Sequence, residues 1–162
     1  MTTQNKYSVT YGKFEMRAKI PYGQGIWPAF WLLGNSISQK GWPACGEIDI
    51  MEFIGREPNT IFGSLHAPNF DRTASYSGSG FSNDFHTYAV NWQPDHIEFY
   101  VDGHLFKTNY KSESGGNWPF ENQNFFILLN LAVGGNWPGY PDGSTHFPQQ
   151  YIIDYVRVYE ID

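Results

Sequence analysis

The feature that most constrains this chain is a cluster of acids inside an apolar segment. Residues 46–53 read Gly-Glu-Ile-Asp-Ile-Met-Glu-Phe, so three carboxylates lie within six residues and only aliphatic side chains separate them. An exposed charged segment has no need of Ile and Met between its acids, and a fully buried strand does not carry three of them. The pattern therefore predicts a strand with one face in a core and the other face lining a polar cleft.

The spacing of the acids also makes a geometric prediction. Strict alternation of side chains would place Glu47 and Asp49 on one face of the strand and Glu52 on the other. A one-residue bulge near Ile50 or Met51 would return Glu52 to the face of the other two acids. Crowded carboxylates titrate apart, so one can act as an acid while another stays ionised, as glycoside hydrolysis requires. The alternative interpretation is a half-exposed strand that happens to be acidic.

Several further segments carry a resemblance to a known family. The acidic cluster and five other stretches resemble motifs of glycoside hydrolase family 16, laminarinase-type branch, in the family's order: 11–21, 25–34, 42–46, 130–138 and 154–159. The resemblance implies a two-sheet β-jelly-roll sandwich of the concanavalin-like type, with a concave substrate cleft. The family has further strands before the segment that resembles Thr3–Tyr7. We therefore expect residues 1–162 to form one catalytic domain that is shortened at its N-terminus.

The pattern along the chain independently indicates an all-β fold. Short runs of Val, Ile, Tyr and Phe recur between Gly, Pro and Asn clusters, and no long helical period is visible. The predicted strands are 7–20, 26–33, 46–54, 60–67, 86–93, 96–101, 104–110, 123–133 and 150–160. The dipeptide Asp102-Gly103 predicts a tight hairpin. We expect a loop from Ser75 to Ser82.

Composition excludes some classes of function. The formal net charge of −6 argues against a nucleic-acid partner, since a phosphate backbone would be repelled. No stretch is long and apolar enough to span a membrane. Cys45 is the single cysteine, so no internal disulfide forms. No signal peptide is present, and we expect a mature extracellular protein. Aromatic residues make up 19% of the chain, more than packing usually demands, and flat rings suit sugar faces.

Tryptophans near the acids are the main candidates for substrate binding. Alternation in segment 26–33 places Trp27, Ala29 and Trp31 on one face. Such a stripe more often lies in a core, but each buried indole N–H needs a partner. The resemblance places Trp27, Trp31 and Trp42 in the cleft and Trp137 at its rim. Trp92 fits core and cleft equally well, and we include it among the substrate-binding candidates.

Three polar residues complete the candidate site. The resemblance places His66 in the cleft, against sugar hydroxyls or the acid/base. Asn130 is a single amide among apolar and glycine residues, where it either caps a turn or reaches a ligand. Asp154 lies where the family often holds a calcium ion, and its alternative role is a strand acid paired with Arg157 or facing water. Calcium needs six to eight oxygen ligands.

Together these observations predict a retaining endo-β-1,3-glucanase that needs no cofactor for catalysis, with a structural calcium as an additional expectation. Glu47 would be the nucleophile, Glu52 the general acid and base, and Asp49 the residue that orients Glu47. One alternative keeps this chemistry on mixed-linkage β-glucan, agarose or carrageenan. Another is a weakly active carbohydrate-binding or assembly domain. Uncovered sheet edges near Tyr151–Tyr159 predict association with a second copy.

Overall fold

Two antiparallel sheets of five strands each form the framework of the molecule. The computed structural model describes residues 1–161, and the predicted all-β sandwich is confirmed within them. The strands are β1 (Gly12–Lys19), β2 (Ile26–Gly34), β3 (Glu47–Phe53), β4 (Thr60–Ala67), β5 (Phe70–Ser77), β6 (His86–Trp92), β7 (His96–Val101), β8 (His104–Tyr110), β9 (Phe125–Val133) and β10 (Ile152–Tyr159). Helical structure in this range is limited to α1 (Ile37–Lys40) and a 3-10 turn (Lys111–Ser114).

The order of the strands places the acidic segment at the centre of one sheet. That sheet, called the cleft sheet below, has the order β5-β4-β3-β2-β9, and the opposite sheet has the order β10-β1-β6-β7-β8. The acids of β3 are therefore flanked by two strands on each side. A central strand is held by hydrogen bonds along both edges, which makes it a rigid position for side chains that must keep a defined geometry.

The hydrophobic core lies between the two sheets. Side chains in β1 alternate between buried and half-buried, as expected for a strand with one face in the core. On β2, Phe30 and Leu32 are fully buried, while Trp27 and Trp31 point to the other face as predicted. Burial of an aromatic or branched side chain contributes about 1.5–3 kcal/mol, so this aromatic core is the main source of stability.

A bulge in β3 has the position that the spacing of the acids predicts. Along β2, Trp31 pairs with Asp49 and Phe30 pairs with Met51, so Ile50 has no partner in that ladder. The register with β4 also shifts between Asp49 and Glu52. Both residues of the bulge, Ile50 and Met51, are buried in the core. The alternation is thereby reset, and Glu52 returns to the face that carries Glu47 and Asp49.

Trp92 corrects one of the predictions. Its side chain is fully buried, its indole N–H donates to the backbone carbonyl of Phe120 at 2.9 Å, and its ring lies 4.9 Å from that of Phe125. This partner satisfies the indole within the core. The prediction that Trp92 binds substrate is therefore wrong, because the residue lies between the sheets and away from the cleft.

Strand β5 was not predicted, and the first predicted strand begins later than expected. Residues 75–77, which we expected in a loop, belong to β5, and β1 starts at Gly12 instead of residue 7. β5 lies at the edge of the cleft sheet and is mostly exposed, so its sequence has polar and small residues in place of an apolar alternation. The Asp102-Gly103 hairpin is confirmed, with positive φ angles of 49° and 76° at its two residues.

No helix among residues 1–161 combines the length and the apolar character that crossing a membrane requires.

The close packing beneath the bulge generates a stability prediction. A Cβ atom added at Gly63 on β4 would lie 2.6 Å from a ring carbon of Phe99 in the opposite sheet. The change Gly63→Ala should therefore force the Phe99 ring aside and lower the free energy of unfolding by about 1–3 kcal/mol. Urea denaturation measures this. Gly143→Ala is the control, because a Cβ atom there would meet nothing within 4 Å. Equal stability of the two variants would contradict the tight fit.

Candidate active site

The three acids of β3 share one face of the cleft sheet and are largely withdrawn from water. The exposed fraction of the side chain is 18% for Glu47 and 5% for Asp49, and Glu52 as a residue is 8% exposed. In the pairing of β2 with β3, Ala29 lies opposite Glu52 and Trp31 lies opposite Asp49. The small side chain of Ala29 leaves space above Glu52, so buried carboxyl groups here line a cleft and are not enclosed in the core.

Each of the two glutamates accepts a hydrogen bond from a different indole N–H group. Trp27 Nε1 donates to Glu52 Oε1 at 3.1 Å, and Trp42 Nε1 donates to Glu47 Oε2 at 3.1 Å. A third indole, that of Trp31, donates to Asn130 Oδ1 at 2.7 Å. Hydrogen bonds to charged acceptors are the stronger ones and restrict the rotamer of the carboxylate. The structure thus brings Trp27, Trp31 and Trp42 together with the acids and Asn130.

Burial and mutual repulsion perturb the acids strongly. Burial, followed by the charge of Asp49, raises the pKa of Glu47 to about 7. The same two causes raise the pKa of Glu52 to about 8. Burial also raises the pKa of Asp49, an effect that the charge of His66 opposes. Groups with such perturbed pKa values in a cleft are candidates for acid–base chemistry.

His66 brings a positive charge next to the acids. It pairs with Glu47 across β3 and β4, and its Nε2 lies 3.2 Å from Asp49 Oδ2 and 4.0 Å from Glu47 Oε1. The contact with Asp49, together with the nearby carboxylates, raises the pKa of His66 to about 9, so the ring is cationic at neutral pH. The predicted place of His66 in the cleft agrees with this geometry.

Two adjoining cavities flank the glutamates and together form the cleft. One, of about 210 Å³, extends over Trp31, Ala29 and Asn130. The other, of about 320 Å³, extends over His66, Ser64 and Trp137. Trp27, Glu47 and Glu52 line both cavities. An extended ligand could therefore pass over the acids and continue on either side of them.

Trp137 lies at the rim of the cleft, as predicted. Its ring packs edge-on against Trp27 at 5.5 Å and against Phe62 at 5.2 Å, and it keeps about a third of its surface exposed. The same Gly-Gly-Asn-Trp-Pro sequence occurs earlier in the chain, but its Trp118 is buried and donates to the Pro94 carbonyl. Local sequence alone does not distinguish the two tryptophans.

Sequence reasoning missed the residues that β5 contributes. Thr73 lines the cleft and shares a 3.0 Å hydrogen bond with Ser64, and Asp71 contacts His66. The dipeptide Pro68-Asn69 was an available signal. Proline followed by a residue with positive φ is typical of a type II turn, and Asn69 has a φ of 56°. This turn predicts a hairpin that returns a further strand alongside β4.

Asp154, the residue predicted to bind calcium, takes part in an ion pair. The Asp154 carboxylate is half-exposed and pairs with Arg17 at 2.7 Å, whereas we had considered Arg157 as its partner. Among residues 1–161, one group of three potential metal ligands is close together. Carboxylate oxygens of Glu47 and Asp49 and a ring nitrogen of His66 lie within 4.8 Å of one another. A metal ion would have to displace the proton of the cationic imidazole, so its binding there would depend on pH. Calcium at Asp154 stays a prediction without support from the local geometry.

Comparison with known proteins is consistent with this geometry. The sequence profile described as "Glycosyl hydrolases family 16" matches residues 1–157. The chain belongs to glycosyl hydrolases family 16. This agrees with the resemblance of its motifs and with the jelly-roll arrangement of the two sheets.

Two relatives and one solved structure show how similar the chain is to known proteins. The chain is 37% identical to a beta-glucanase of Rhodothermus marinus, covering 98% of this chain and 60% of that protein. It is 40% identical to a glucan endo-1,3-beta-glucosidase of Cryptopygus antarcticus, covering 97% of this chain and 64% of the relative. The laminarinase catalytic domain of Thermotoga maritima superposes with a TM-score of 0.96 at 47% identity, covering 99% and 68% of the two chains. The chain thus spans about two thirds or less of these relatives' lengths.

The raised pKa of Glu52 makes stability depend on pH. A carboxyl group whose pKa is raised on folding stabilises the fold below its unfolded pKa, and this contribution is lost as pH rises towards about 8. Glu52→Gln keeps an acceptor for Trp27 and cannot ionise. The variant should therefore exceed the original protein in free energy of unfolding at pH 8, by about 1 kcal/mol or more, and match it closely at pH 4. Urea denaturation at the two pH values tests this, and an equal difference at both would contradict it.

Proposed function

We propose that the chain is a retaining endo-β-1,3-glucanase of the laminarinase type. The observation that carries the proposal is the pair Glu47 and Glu52, which share one face of an open cleft in different environments. Glu52 is the more deeply buried and has the higher pKa, so it suits the acid. Glu47 has both an indole donor and the His66 charge beside it, which favour its ionised form and suit a nucleophile.

The proposed reaction is a double displacement. The Glu47 carboxylate attacks the anomeric carbon while Glu52 donates its proton to the glycosidic oxygen, so the C–O bond breaks and the leaving sugar departs as an alcohol. The Glu52 carboxylate then takes a proton from water, whose oxygen attacks the same carbon and releases Glu47. Asp49, between the two glutamates in sequence, orients Glu47 and adjusts the pKa values of the pair.

The surface of the cleft suits an uncharged glucan. Trp27, Trp31 and Trp137 supply flat rings, and Trp42 leaves more than half of its surface exposed near Glu47. The charged groups that line the two cavities are acids and His66. A sulfated polysaccharide would gain little from this set, because anionic groups need Arg or Lys partners. Space on both sides of the acids supports cleavage within a chain.

Mixed-linkage glucan is the second candidate substrate. A structure described as a non-specific endo-beta-1,3(4)-glucanase is 36% identical to this chain with a TM-score of 0.90. A pure binding role is less favoured, although a beta-1,3-glucan-binding protein of Penaeus monodon is 33% identical. The three intact acids with perturbed pKa values would have no purpose in a module that only binds.

The experiment that tests the proposal is proton NMR of hydrolysis by the purified chain. Laminarin should be cleaved faster than mixed-linkage β-glucan, agarose or carrageenan, and the first product formed should carry the β anomer. An α anomer appearing first would exclude double displacement. Comparable rates on mixed-linkage glucan would favour the second candidate, and binding without turnover would favour the binding role.

Variants of the two glutamates should separate catalysis from folding. Glu47→Ala and Glu52→Gln should each lower turnover of laminarin by about 10²-fold or more, since general acid assistance alone contributes about 10²–10⁴-fold. Thermal unfolding should show that both variants stay folded. Asp95→Asn, an exposed acid next to the opposite sheet, is the matched control and should keep full turnover. Near-normal turnover in either glutamate variant would show that its assigned role is wrong.

We further propose that the protein acts outside the cell, where polysaccharides of this class are met, and that no cofactor takes part. Fractionation of the source organism's culture would test the location. Activity that survives exhaustive chelation would agree with the absence of a cofactor.

Strand β10 supports the proposal that copies of this chain associate. It pairs with β1 along one edge and with no strand of residues 1–161 along the other, and Ile152 and Tyr159 are each about 40% exposed. An open strand edge with apolar side chains favours pairing with another chain. Light scattering at micromolar concentration should therefore give a mass above that of one chain. A stable monomer would contradict this proposal and leave the enzymatic one intact.

A further inference from the structure

We propose that Asp71 is a positioning residue for the catalytic acids and acts on them through His66. It holds the imidazole in one orientation, so that the ring presents an N–H and a positive charge to Asp49 and Glu47. The proposal rests on the function proposed above for this site. Asp71 itself does not line either cavity of the cleft and is not placed to touch substrate.

The local sequence explains why Asp71 faces His66. Strands β4 and β5 are joined by the two-residue turn Pro68-Asn69, and Ala67 pairs directly with Phe70. A tight turn of this kind fixes the register of the hairpin. The next pair along the ladder is His66 with Asp71, and directly opposed side chains project from the same face of the sheet.

The contacts of His66 place a carboxylate at each ring nitrogen. Nδ1 lies 2.9 Å from Asp71 Oδ1, and Nε2 lies 3.2 Å from Asp49 Oδ2. A neutral imidazole carries a proton on one nitrogen only, whereas the cation donates from both. Two acidic partners on opposite sides of the ring therefore favour the cation and fix the plane of the ring.

The groups that face His66 come from both neighbouring strands. Glu47, Asp49 and Glu52 approach from β3, and Asp71 approaches from β5. Arg72, the next residue on β5, does not compete for the carboxylate: its guanidinium lies over the Phe70 ring and donates to the Asp71 backbone carbonyl. In the described part of the chain, the cation in contact with Glu47 and Asp49 is thus His66.

The acids depend on that cation because they have few other partners. Asp49 Oδ2 is fully buried and has no hydrogen bond of good geometry, so the nearby imidazolium is what compensates its charge. Without the cation, two neighbouring and largely buried carboxylates would resist ionisation, and Glu47 would be a weaker nucleophile. Asp71 therefore influences the reaction although it lies outside the cleft.

Two variants of Asp71 separate charge from orientation. Asp71→Asn removes the charge but keeps an oxygen that can accept the Nδ1 proton, while Asp71→Ala removes both. Asp95→Asn is the matched control, since Asp95 pairs with His96 at 2.8 Å next to the opposite sheet and is 76% exposed, compared with 69% for Asp71. High exposure of the side chain means that all three variants should fold, which thermal unfolding checks.

The first measurement is the pKa and tautomer of His66 by nitrogen-15 NMR, which requires no turnover. The pKa should fall by about half a unit in Asp71→Ala, the size expected for a partly exposed ion pair, and the Nδ1–H form should lose its preference above the pKa. Asp71→Asn should lower the pKa similarly but keep the Nδ1–H tautomer. Asp95→Asn should leave His66 unchanged.

The second measurement is the kinetics on laminarin. In Asp71→Ala, kcat should fall about threefold or more while KM stays constant, because a ring that is free to turn no longer presents its N–H to Asp49. The loss should be smaller in Asp71→Asn. A His66 pKa and tautomer that match the original protein in both variants would overturn the proposal. So would an altered His66 with unchanged kcat. Absence of any turnover in the original protein would instead refute the proposed function and leave the NMR result standing.

Discussion

The bulge at Ile50 and Met51 is the constraint on which the rest of the site depends. Without the extra residue, strict alternation would place Glu52 on the face of β3 opposite Glu47 and Asp49. Either Glu52 or the other two acids would then be buried in the core. With it, both bulged residues enter the core, and three carboxylates share the outer face. The core accommodates the bulge because Gly63, within the shifted register of β4, lets the Phe99 ring of the opposite sheet approach its backbone. Packing between the sheets thus determines the arrangement of the acids outside them.

Crowding these acids has an electrostatic cost that the surrounding residues partly offset. Burial disfavours every ionised carboxylate, and their mutual repulsion adds to this. The compensation consists of two indole N–H donors and one imidazolium, each delivered by a different part of the chain: β2, the loop before β3, and β4. Indoles are neutral, so they stabilise a carboxylate without fixing it in the ionised state, and the two glutamates keep pKa values of about 7 and about 8.

The sequence predicted the parts of the site that depend on short-range rules. The alternation of β2, the bulge of β3 and the shared face of Glu47, Asp49 and Glu52 all follow from the side-chain period of a strand. The misses involve longer-range relations. The local sequence around Trp92 is compatible with a place in the core and with a place in the cleft. Only its hydrogen bond to the backbone carbonyl of Phe120, a residue distant in sequence, assigns it to the core. β5 has no apolar alternation because it is an edge strand, so Asp71 could be found only through the turn that precedes it.

The difference between the two glutamates follows first from their burial and then from the charges beside them. His66 is paired with Glu47 across β4, whereas Glu52 lies beyond the bulge and opposite Phe62. The charge of His66 therefore affects Glu47 more than it affects Glu52. It lowers the pKa of Glu47, which burial and the charge of Asp49 raise. For both glutamates burial is the largest influence and the charge of Asp49 outweighs that of His66, and Glu52 is the more buried of the two. One strand thus carries two chemically identical side chains with separate proton affinities, because Glu52 is the more buried of the two while Glu47 lies beside the imidazolium.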